Sequence, residues 1–327
     1  MKTEILKIND KSIEKAKKIL LSGGIVGMPT ETVYGLAALG TDGEAVKKIY
    51  EVKGRPSDNP LIAHVHKDFP IEELVFVNND YAFELKKLFT PGPLTMVFES
   101  KGKVCKEAVC GGDTLALRIP SHEGCQRLLK AVNAPIVAPS ANLSKHTSPV
   151  TAEHVRRDLD GKIPLILDGG KCTGGIESTV LDVTGKVPRI LRAGLITREM
   201  IVKAVGSCEI AEHKEGDRVR SPGVKYRHYR PNCETALADS AEEAEALYLQ
   251  CVKEGKKPYI MCDGENAEKL KGYNVLNLGN TGEEIASNLY DKLLEGERVA
   301  DEIIAISFNR EDGVYLGIMN RLRKSCG

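Results

Sequence analysis

The fold and the site are decided by residues 29–64, which read PTETVYGL at 29–36 and KGRPSDNPLIAH at 53–64. These two segments carry threonine hydroxyls, two cations, an amide and an imidazole. Apolar runs at 25–28 and 61–65 predict strands that hold the polar loops rigid. A lysine and an arginine two residues apart, with hydroxyls nearby, suit a polyphosphate better than a neutral substrate.

Working outward, residues 1–206 predict one mixed α/β unit. The strands predicted from apolar runs lie at 25–28, 60–65, 94–99, 114–119, 135–138, 165–167, 178–182 and 189–192. The helices predicted from apolar periodicity lie at 12–21, 44–52, 80–89, 125–132, 152–158 and 197–205. Because the strands do not alternate regularly with helices, the pattern favours a twisted mixed sheet of the α+β type over a doubly wound sheet.

The remainder of the chain divides into a linker and a second unit. Residues 207–231 are polar and carry Tyr226, His228 and Tyr229, which suggests that this linker docks on another part of the protein. Residues 232–327 alternate strand and helix and predict a small parallel α/β (Rossmann-like) domain. We interpret the basic run at 321–324 as a helix end that complements the helix dipole, with RNA contact as the alternative.

Composition limits the class of protein. The chain has 327 residues, 42% hydrophobic and 28% charged, and its formal net charge of zero is divided unevenly. Lysine and arginine minus aspartate and glutamate give 29 − 24 = +5 for 1–206, 6 − 4 = +2 for 207–230 and 11 − 18 = −7 for 231–327. A surplus of +5 permits a phosphate-rich partner without requiring one. The absence of tryptophan argues against a protein built on base stacking.

Several common sites are excluded. The sequence contains neither G-x-x-x-x-G-K-[ST] nor G-x-G-x-x-G, and no cysteine or histidine spacing typical of zinc. We interpret His64 and His66 as one buried and one exposed histidine. Nine cysteines without a C-x-x-C pair, and no secretory signal, predict reduced thiols in the cytoplasm. No apolar run approaches the length of a membrane span.

A second group of polar residues follows predicted strands. Ser140 and Asn142 come after the run PIVAP, where α/β folds commonly bind ligands. Glycines 174 and 175 free the backbone ahead of Ser178 to approach an anion. Arg118 and Arg192 each end an apolar strand, where a guanidinium needs an anionic partner. That partner is either a ligand or an internal carboxylate, namely Asp168, Asp182 or Glu31.

Together, these motifs resemble a known family. PTETVYGL, KGRPSDNPL, ALRIP, PIVAPSAN, ESTV, ILRAG and SPGVKYRHYRP look like the long, two-domain form of threonylcarbamoyl-AMP synthase, the YrdC-like family. The resemblance covers the first unit and the linker, and the last unit matches by position and α/β character. It implies a nucleotidyltransferase that makes threonylcarbamoyl-AMP from L-threonine, bicarbonate or CO2, and ATP, releasing pyrophosphate. The threonylcarbamoyl group then modifies the tRNA adenosine next to the anticodon.

The resemblance also implies site residues. The expected catalytic tetrad is Lys53, Arg55, Ser140 and Asn142. Those expected around L-threonine are Thr32, His64, Arg118, Ala138 (through its backbone) and Ser178. Those expected around the nucleotide are Arg55, Asn59, Thr114, Ser140, Ser148, Arg192 and a linker tyrosine, Tyr226 or Tyr229, that would close the site.

The implied ligands are ATP as substrate and Mg²⁺ bridging its phosphates, and no metal site formed by protein ligands is expected. A separate threonylcarbamoyl transferase complex would take the product, and tRNA or double-stranded RNA is a possible partner. Two alternatives stay open at this point. One is an RNA-binding module without turnover, suggested by the basic first unit. The other is carbamoyl transfer, as in larger proteins that contain a YrdC-like domain.

Overall fold

The computed structural model describes residues 2–211 and 229–327. Within these ranges, twelve strands form one large sheet. In chain order they are β1 (Glu4–Lys7), β2 (Val26–Met28), β3 (Gly35–Leu39), β4 (Ile62–His64), β5 (Val75–Phe76), β6 (Leu94–Ser100), β7 (Thr114–Arg118), β8 (Ile136–Val137), β9 (Leu165–Asp168), β10 (Thr179–Asp182), β11 (Arg189–Arg192) and β12 (Glu209–Ile210).

The large sheet mixes parallel and antiparallel pairs. Its order is β1-β9-β2-β3-β8-β4-β7-β6-β10-β11-β12, and β5 pairs with β6. Strands β4 and β7 run parallel with His64 opposite Arg118, while β8 runs antiparallel to β4 and β3. The predicted mixed sheet is therefore confirmed. Its consequence for the site is that the carboxyl ends of β4 and β7 lie side by side.

The helices of this unit match the predicted ones to within two residues at each end. They are α1 (Asp10–Leu21), α2 (Gly43–Lys53), α3 (Asp80–Phe89), α4 (Glu123–Val132), α5 (Ala152–Leu159) and α6 (Arg198–Val205), with a short 3₁₀ turn at Ile71–Glu73. Thr151 and Thr197 cap α5 and α6, since each hydroxyl accepts a hydrogen bond from the first helical turn. Helices α1 and α4 pack apolar side chains against β2 and β9.

The sequence-based prediction did not include β1, β3, β5 and β12. The segment Gly35–Leu39 consists of small residues and leucines, which have weak strand preference. Strand β12 lies inside the predicted linker, yet Glu209–Ile210 pairs with β11 of the large sheet. Short edge strands of this kind are fixed by their partners and not by their own sequence.

The second unit is a four-stranded parallel sheet, as predicted. Its strands are β13 (Glu234–Ala238), β14 (Pro258–Cys262), β15 (Val275–Asn277) and β16 (Glu302–Ile306), in the order β13-β16-β14-β15. Its helices are α7 (Ala241–Lys253), α8 (Gly264–Lys269), α9 (Gly282–Val299) and α10 (Tyr315–Cys326).

The two units approach each other backbone to backbone. Gly175 has a φ of +70°, and a Cβ added there would lie 2.3 Å from the carbonyl oxygen of Ala286. A Cβ on Gly317 would lie 3.3 Å from the Cα of Gly194. Ile176 of the first unit and Leu289 of the second belong to the same buried apolar cluster. The interface is therefore continuous with the core.

Two further expectations concern the thiols and membranes. All nine cysteines are free thiols, as predicted. Across residues 2–211 and 229–327, every helix is too short or too polar to cross a lipid bilayer.

Candidate active site

A cavity lies where β4, β7 and β11 end and β10 begins. Such edges of a sheet present side chains from distant parts of the sequence to one space. Its lining residues are Thr30, Val33, Gly35, Arg55, Ile62, His64, Arg118, Ala138, Pro139, Ser140, Asn142, His146, Ser148, Glu177, Ser178, Arg192 and Tyr229.

Most of the predicted site residues line this one cavity. They are Arg55, His64, Arg118, Ala138, Ser140, Asn142, Ser148, Ser178, Arg192 and Tyr229. Lys53, Thr32, Asn59 and Thr114 do not line it. Tyr226 lies outside the described residues. The cavity thus brings cations and hydroxyls together from segments that are far apart in the chain.

The predicted residues outside the lining have identifiable positions. Thr114 begins β7, at the opposite end of that strand from Arg118. The hydroxyl of Thr32 lies 3.0 Å from that of Thr30, behind the cavity wall. Asn59 is fully buried, and its carbonyl oxygen accepts a hydrogen bond of 3.1 Å from Arg55 Nη2.

Lys53 supports the cavity from behind. Its side chain is 3% exposed, and Nζ donates to the carbonyl oxygens of Ser140 and Asn142 and to Asn142 Oδ1. Burial, and then the charge of Arg55, lower the pKa of Lys53. Three acceptor oxygens nevertheless match the three N–H groups of an ammonium. Lys53 therefore fixes the loop that presents Ser140.

Asn142 is held on the same loop by its own side-chain amide. Nδ2 donates to the carbonyl oxygens of Leu143 and His146, at 2.9 and 2.7 Å. By contrast, the hydroxyl of Ser140 has no hydrogen-bond partner among the described residues. Of these two tetrad members, Ser140 is the one with a side chain available to a ligand.

Arg118 and His64 are neighbours through the β4–β7 register. Arg118 is 4% exposed, and Nη2 lies 2.7 Å from Glu31 Oε1. The structure thus realises the internal ion pair that the sequence left open. The angles are poor, however, and Nε and Nη2 of Arg118 make no hydrogen bond to a described residue. A buried guanidinium with unused donors is suited to a ligand carboxylate.

His64 is neutral in this environment. Burial and then the charge of Arg118 lower the pKa of His64 to about 3. Nδ1 lies 3.0 Å from the carbonyl oxygen of Ile62 and must donate to it, since a carbonyl oxygen only accepts.

His66 is also buried, at 8% exposure, and Nε2 lies 3.0 Å from Asn133 Oδ1. The interpretation of one buried and one exposed histidine is therefore wrong, because the side chains of Asn133 and Phe69 contact His66.

Ser178 and Arg192 form a second cluster on the opposite wall. Arg192 Nη2 lies 2.9 Å from the carbonyl oxygen of Ser178 and 3.1 Å from its hydroxyl. That hydroxyl is also 2.7 Å from the hydroxyl of Thr95. These contacts hold the Arg192 side chain in a buried position at the cavity wall.

Sequence reasoning did not identify Glu177, although it lies next to Ser178 in the quoted motif ESTV. Its Oε1 accepts a hydrogen bond of 2.7 Å from Ser148 Oγ. Its Oε2 accepts from Tyr290 Oη at 2.9 Å and from Arg321 Nε at 3.2 Å. Burial alone would raise the pKa of Glu177, but Arg321, Arg192 and Ser148 lower it to about 2. The carboxylate is therefore ionised.

Arg323 and Lys324 lie in the last turn of α10, in agreement with the predicted basic helix end, whereas Arg321 has a different role. Its side chain is fully buried and, besides Glu177, donates to the carbonyl oxygens of Ala193 and Gly317. A lone glutamate before Ser178 and a run of basic residues in a terminal helix carry no signal of this pairing. Only the packing of the two units brings them together.

Tyr229 is the linker tyrosine that the structure places on the cavity wall. It is 5% exposed, has a φ of +76°, and its ring stacks on that of Tyr290 at a centroid distance of 5.2 Å. Its carbonyl oxygen accepts a hydrogen bond of 3.2 Å from Thr147. A tyrosine in this strained backbone region must be fixed by its neighbours.

Comparison with protein families gives two matches that together span nearly the whole chain. Residues 18–194 match the family described as telomere recombination, which groups Sua5, YciO and YrdC proteins. Residues 196–327 match the family described as the C-terminal domain of threonylcarbamoyl-AMP synthase.

Individual relatives agree with these matches. The threonylcarbamoyl-AMP synthase of Pyrococcus abyssi is 40% identical over 98% of this chain and 96% of its own. That of Bacillus subtilis is 40% identical over 99% and 96%. A crystal structure of P. abyssi Sua5 complexed with L-threonine has a TM-score of 0.91 at 39% identity, and covers 99% of this chain and 97% of that one. None of these names describes an RNA-binding module or a carbamoyl transferase.

Proposed function

This chain belongs to the threonylcarbamoyl-AMP synthase family, and we propose that the cavity described above is where it performs the reaction of that family. The protein is an enzyme that condenses L-threonine, bicarbonate or CO2, and ATP into threonylcarbamoyl-AMP and releases pyrophosphate. The observation that carries the assignment to this cavity is the convergence of Arg55, Arg118 and Arg192 on one space. Three guanidinium groups around serine hydroxyls suit a carboxylate next to a triphosphate.

On the threonine side, we assign the carboxylate to Arg118. Its unused N–H donors and its position beside His64 support this assignment. The P. abyssi relative was crystallised with L-threonine, which supports threonine as the amino acid here as well. Ala138 and Ser178 line the same cavity, and Thr32 would act through Thr30, which separates it from the lining.

On the nucleotide side, we assign the phosphates to Arg55, Arg192 and Ser140. Ser148 and Tyr229 would complete this part of the site, with Asn59 acting through its hydrogen bond from Arg55. Thr114 and Tyr226 remain predictions from the family resemblance. Lys53 and Asn142 would act as positioning residues, because their polar atoms are occupied by the loop that carries Ser140.

The chemistry needs orientation more than acid–base catalysis. The threonine amine adds to CO2 to give a carbamate, and a carbamate oxygen then attacks the α-phosphorus of ATP in line. The bond between the α-phosphorus and its bridging oxygen breaks, and pyrophosphate leaves with that electron pair. With a pKa of about 3, His64 is neutral at neutral pH, and its one N–H is donated to the carbonyl oxygen of Ile62, so it is not a general acid here. The cations would neutralise the charge that develops on the phosphates.

We expect Mg²⁺ to accompany ATP. The protein offers few ligands of its own: in the described ranges, no three His, Cys, Asp or Glu side chains are grouped closely enough to hold a metal ion. Glu31 and Glu177, the carboxylates beside the cavity, already face Arg118 and Arg321. The donor set therefore fits an ion held mainly by phosphate oxygens, with the Ser140 hydroxyl as a protein ligand. When bound, Mg²⁺ would neutralise phosphate charge.

The wider context is also part of the proposal. We divide the chain into a catalytic domain at 1–206, a linker over the site at 207–231 and a C-terminal domain at 232–327. The free cysteines support a cytoplasmic location. The product would pass to a threonylcarbamoyl transferase complex that modifies tRNA, and direct contact of this protein with tRNA or double-stranded RNA is a further possibility suggested by the basic first unit.

The experiment combines protein, Mg-ATP, L-threonine and bicarbonate, and measures pyrophosphate and the threonylcarbamoyl adenylate by mass spectrometry. Omission of threonine should abolish both products. Arg118→Gln should raise the KM for threonine by about tenfold or more, since it removes a charge-assisted pair. Arg127→Gln is the matched control, because Arg127 on α4 forms an exposed ion pair with Asp10 at the start of α1. Equal effects of the two variants would refute the assignment of the cavity.

A further inference from the structure

Two side chains of the C-terminal domain end at the wall of the cavity. Tyr290 on α9 and Arg321 on α10 are both fully buried, and both donate to Oε2 of Glu177. Glu177 is more than one hundred residues earlier in the chain and belongs to the first domain. These contacts are the fully buried polar part of an interface that also carries ion pairs nearer the surface, such as Lys171 with Asp291 and Arg157 with Glu297.

The residues that Tyr290 and Arg321 contact lie on the nucleotide side of the cavity. Oε1 of Glu177 accepts the hydrogen bond from Ser148, and the Tyr290 ring stacks on Tyr229. Arg321 also donates to the carbonyl oxygen of Ala193, the residue after Arg192. Tyr229 therefore contacts the C-terminal domain directly, Ser148 is linked to it through Glu177, and Arg192 is next to Ala193, which accepts from Arg321. All three residues line the cavity.

The charges in this region favour an anion. Arg192 and Arg321 are two buried guanidinium groups, and Glu177 is the carboxylate between them. Both guanidinium groups lower the pKa of Glu177, and Arg321 does so more strongly than Arg192, so that Arg321 carries the larger share of the charge balance at this carboxylate. Without Arg321, Glu177 would neutralise Arg192 and weaken its attraction for a phosphate.

We infer that Tyr290 and Arg321 are positioning residues for the nucleotide, through which the C-terminal domain completes the ATP site. They fix the carboxylate of Glu177, which in turn accepts the hydrogen bond from Ser148, and Tyr290 supports the ring of Tyr229. The inference rests on the proposed function, since it takes the cavity to be the ATP site. It gives the last domain a direct part in substrate binding, although none of its residues lines the cavity.

The test is Tyr290→Phe, which removes only the hydroxyl that donates to Glu177 and keeps the ring stacked on Tyr229. We expect the KM for ATP to rise by about tenfold, the size of effect expected when a charged group loses a hydrogen bond. The KM for threonine should stay within twofold, because Arg118 and His64 make no contact with this network in the described structure. Binding of α,β-methylene ATP, measured by calorimetry, should weaken by the same factor as the KM rises.

Tyr248→Phe is the matched control. Tyr248 lies in the same domain, but its hydroxyl only accepts a hydrogen bond from the backbone of Asn274. A second variant, Arg321→Lys, keeps the charge and should also raise the KM for ATP selectively. If wild-type protein releases no pyrophosphate with threonine, the proposed function itself fails. If the wild type is active and both variants keep the ATP KM while their melting temperature falls, the inference alone fails, since the two residues then only stabilise the fold.

Discussion

The contrast between Lys53 and Arg55 gives the sharpest test of how the site is built. The two residues are two positions apart, yet Arg55 lines the cavity and Lys53 lies behind it. We expect Lys53→Met to act through stability and Arg55→Met to act through ligand binding. Methionine has a similar length in both variants and removes the charge without adding a polar group.

The magnitude follows from the bonds that are lost. Lys53→Met leaves the carbonyl oxygens of Ser140 and Asn142 and the weaker acceptor Asn142 Oδ1 without a donor. At about 1–3 kcal/mol for each buried acceptor left unpaired, the loss over the three acceptors is about 3–9 kcal/mol of unfolding free energy. For a chain of this size that corresponds to a fall of about 10 °C in Tm. Arg55→Met loses one hydrogen bond to Asn59, and its Tm should fall by less than about 3 °C.

Thermal unfolding followed by circular dichroism measures the first effect, and pyrophosphate release at varied ATP concentration measures the second. Arg55→Met should raise the KM for ATP by about tenfold, because one charge-assisted contact to phosphate is lost. If Lys53→Met melts within about 2 °C of the wild type while its activity is lost, Lys53 contacts the ligand directly and the reasoning above is refuted.

Two further predictions concern the threonine side of the cavity. The pKa of His64 lies at about 3 in the folded protein and at 6.5 in the unfolded chain, so the unfolded chain takes up the proton first as the pH falls. The protein therefore loses unfolding free energy as the pH falls from 6.5 towards 3. His64→Asn should make this loss about 2 kcal/mol smaller between pH 6.5 and pH 5, as measured by urea unfolding at each pH. An equal loss of unfolding free energy in the variant and the wild type would contradict this. Glu31→Gln should tighten threonine binding by about threefold or more in calorimetry, since a carboxylate no longer competes for Arg118, while destabilising the protein by about 3 kcal/mol. Weaker binding would show instead that Glu31 helps to hold threonine.

Much of the architecture could be predicted from the sequence because its signals are local. Helix caps such as Thr151 and Thr197 and the strict alternation after residue 232 each depend on neighbours within a few positions. The missed strand Gly35–Leu39 has no such signal, since its small residues become a strand only by pairing with β2 and β8. Its position nevertheless matters, because Gly35 lines the cavity.

The candidate site was predicted unevenly for the same reason. Motif residues such as Arg55, Ser140 and Arg192 were found from their residue types and their places after strands. The pairs Glu31–Arg118 and Glu177–Arg321 depend on distances between segments that are far apart in sequence. One carboxylate had been named as a possible partner of Arg118, whereas nothing in the sequence pointed from Arg321 to Glu177. Residue type indicates what a side chain can do, and the tertiary packing decides which partner it meets.

The glycines at the interface of the two units restrict which substitutions the protein can accept in evolution. Any side chain at position 175 would collide with the backbone of α9, and one at 317 would press against the backbone of Gly194. A chimera that takes either unit from another protein would therefore need a glycine at both position 175 and position 317. The close approach of the two backbones therefore limits which partner each half can accept.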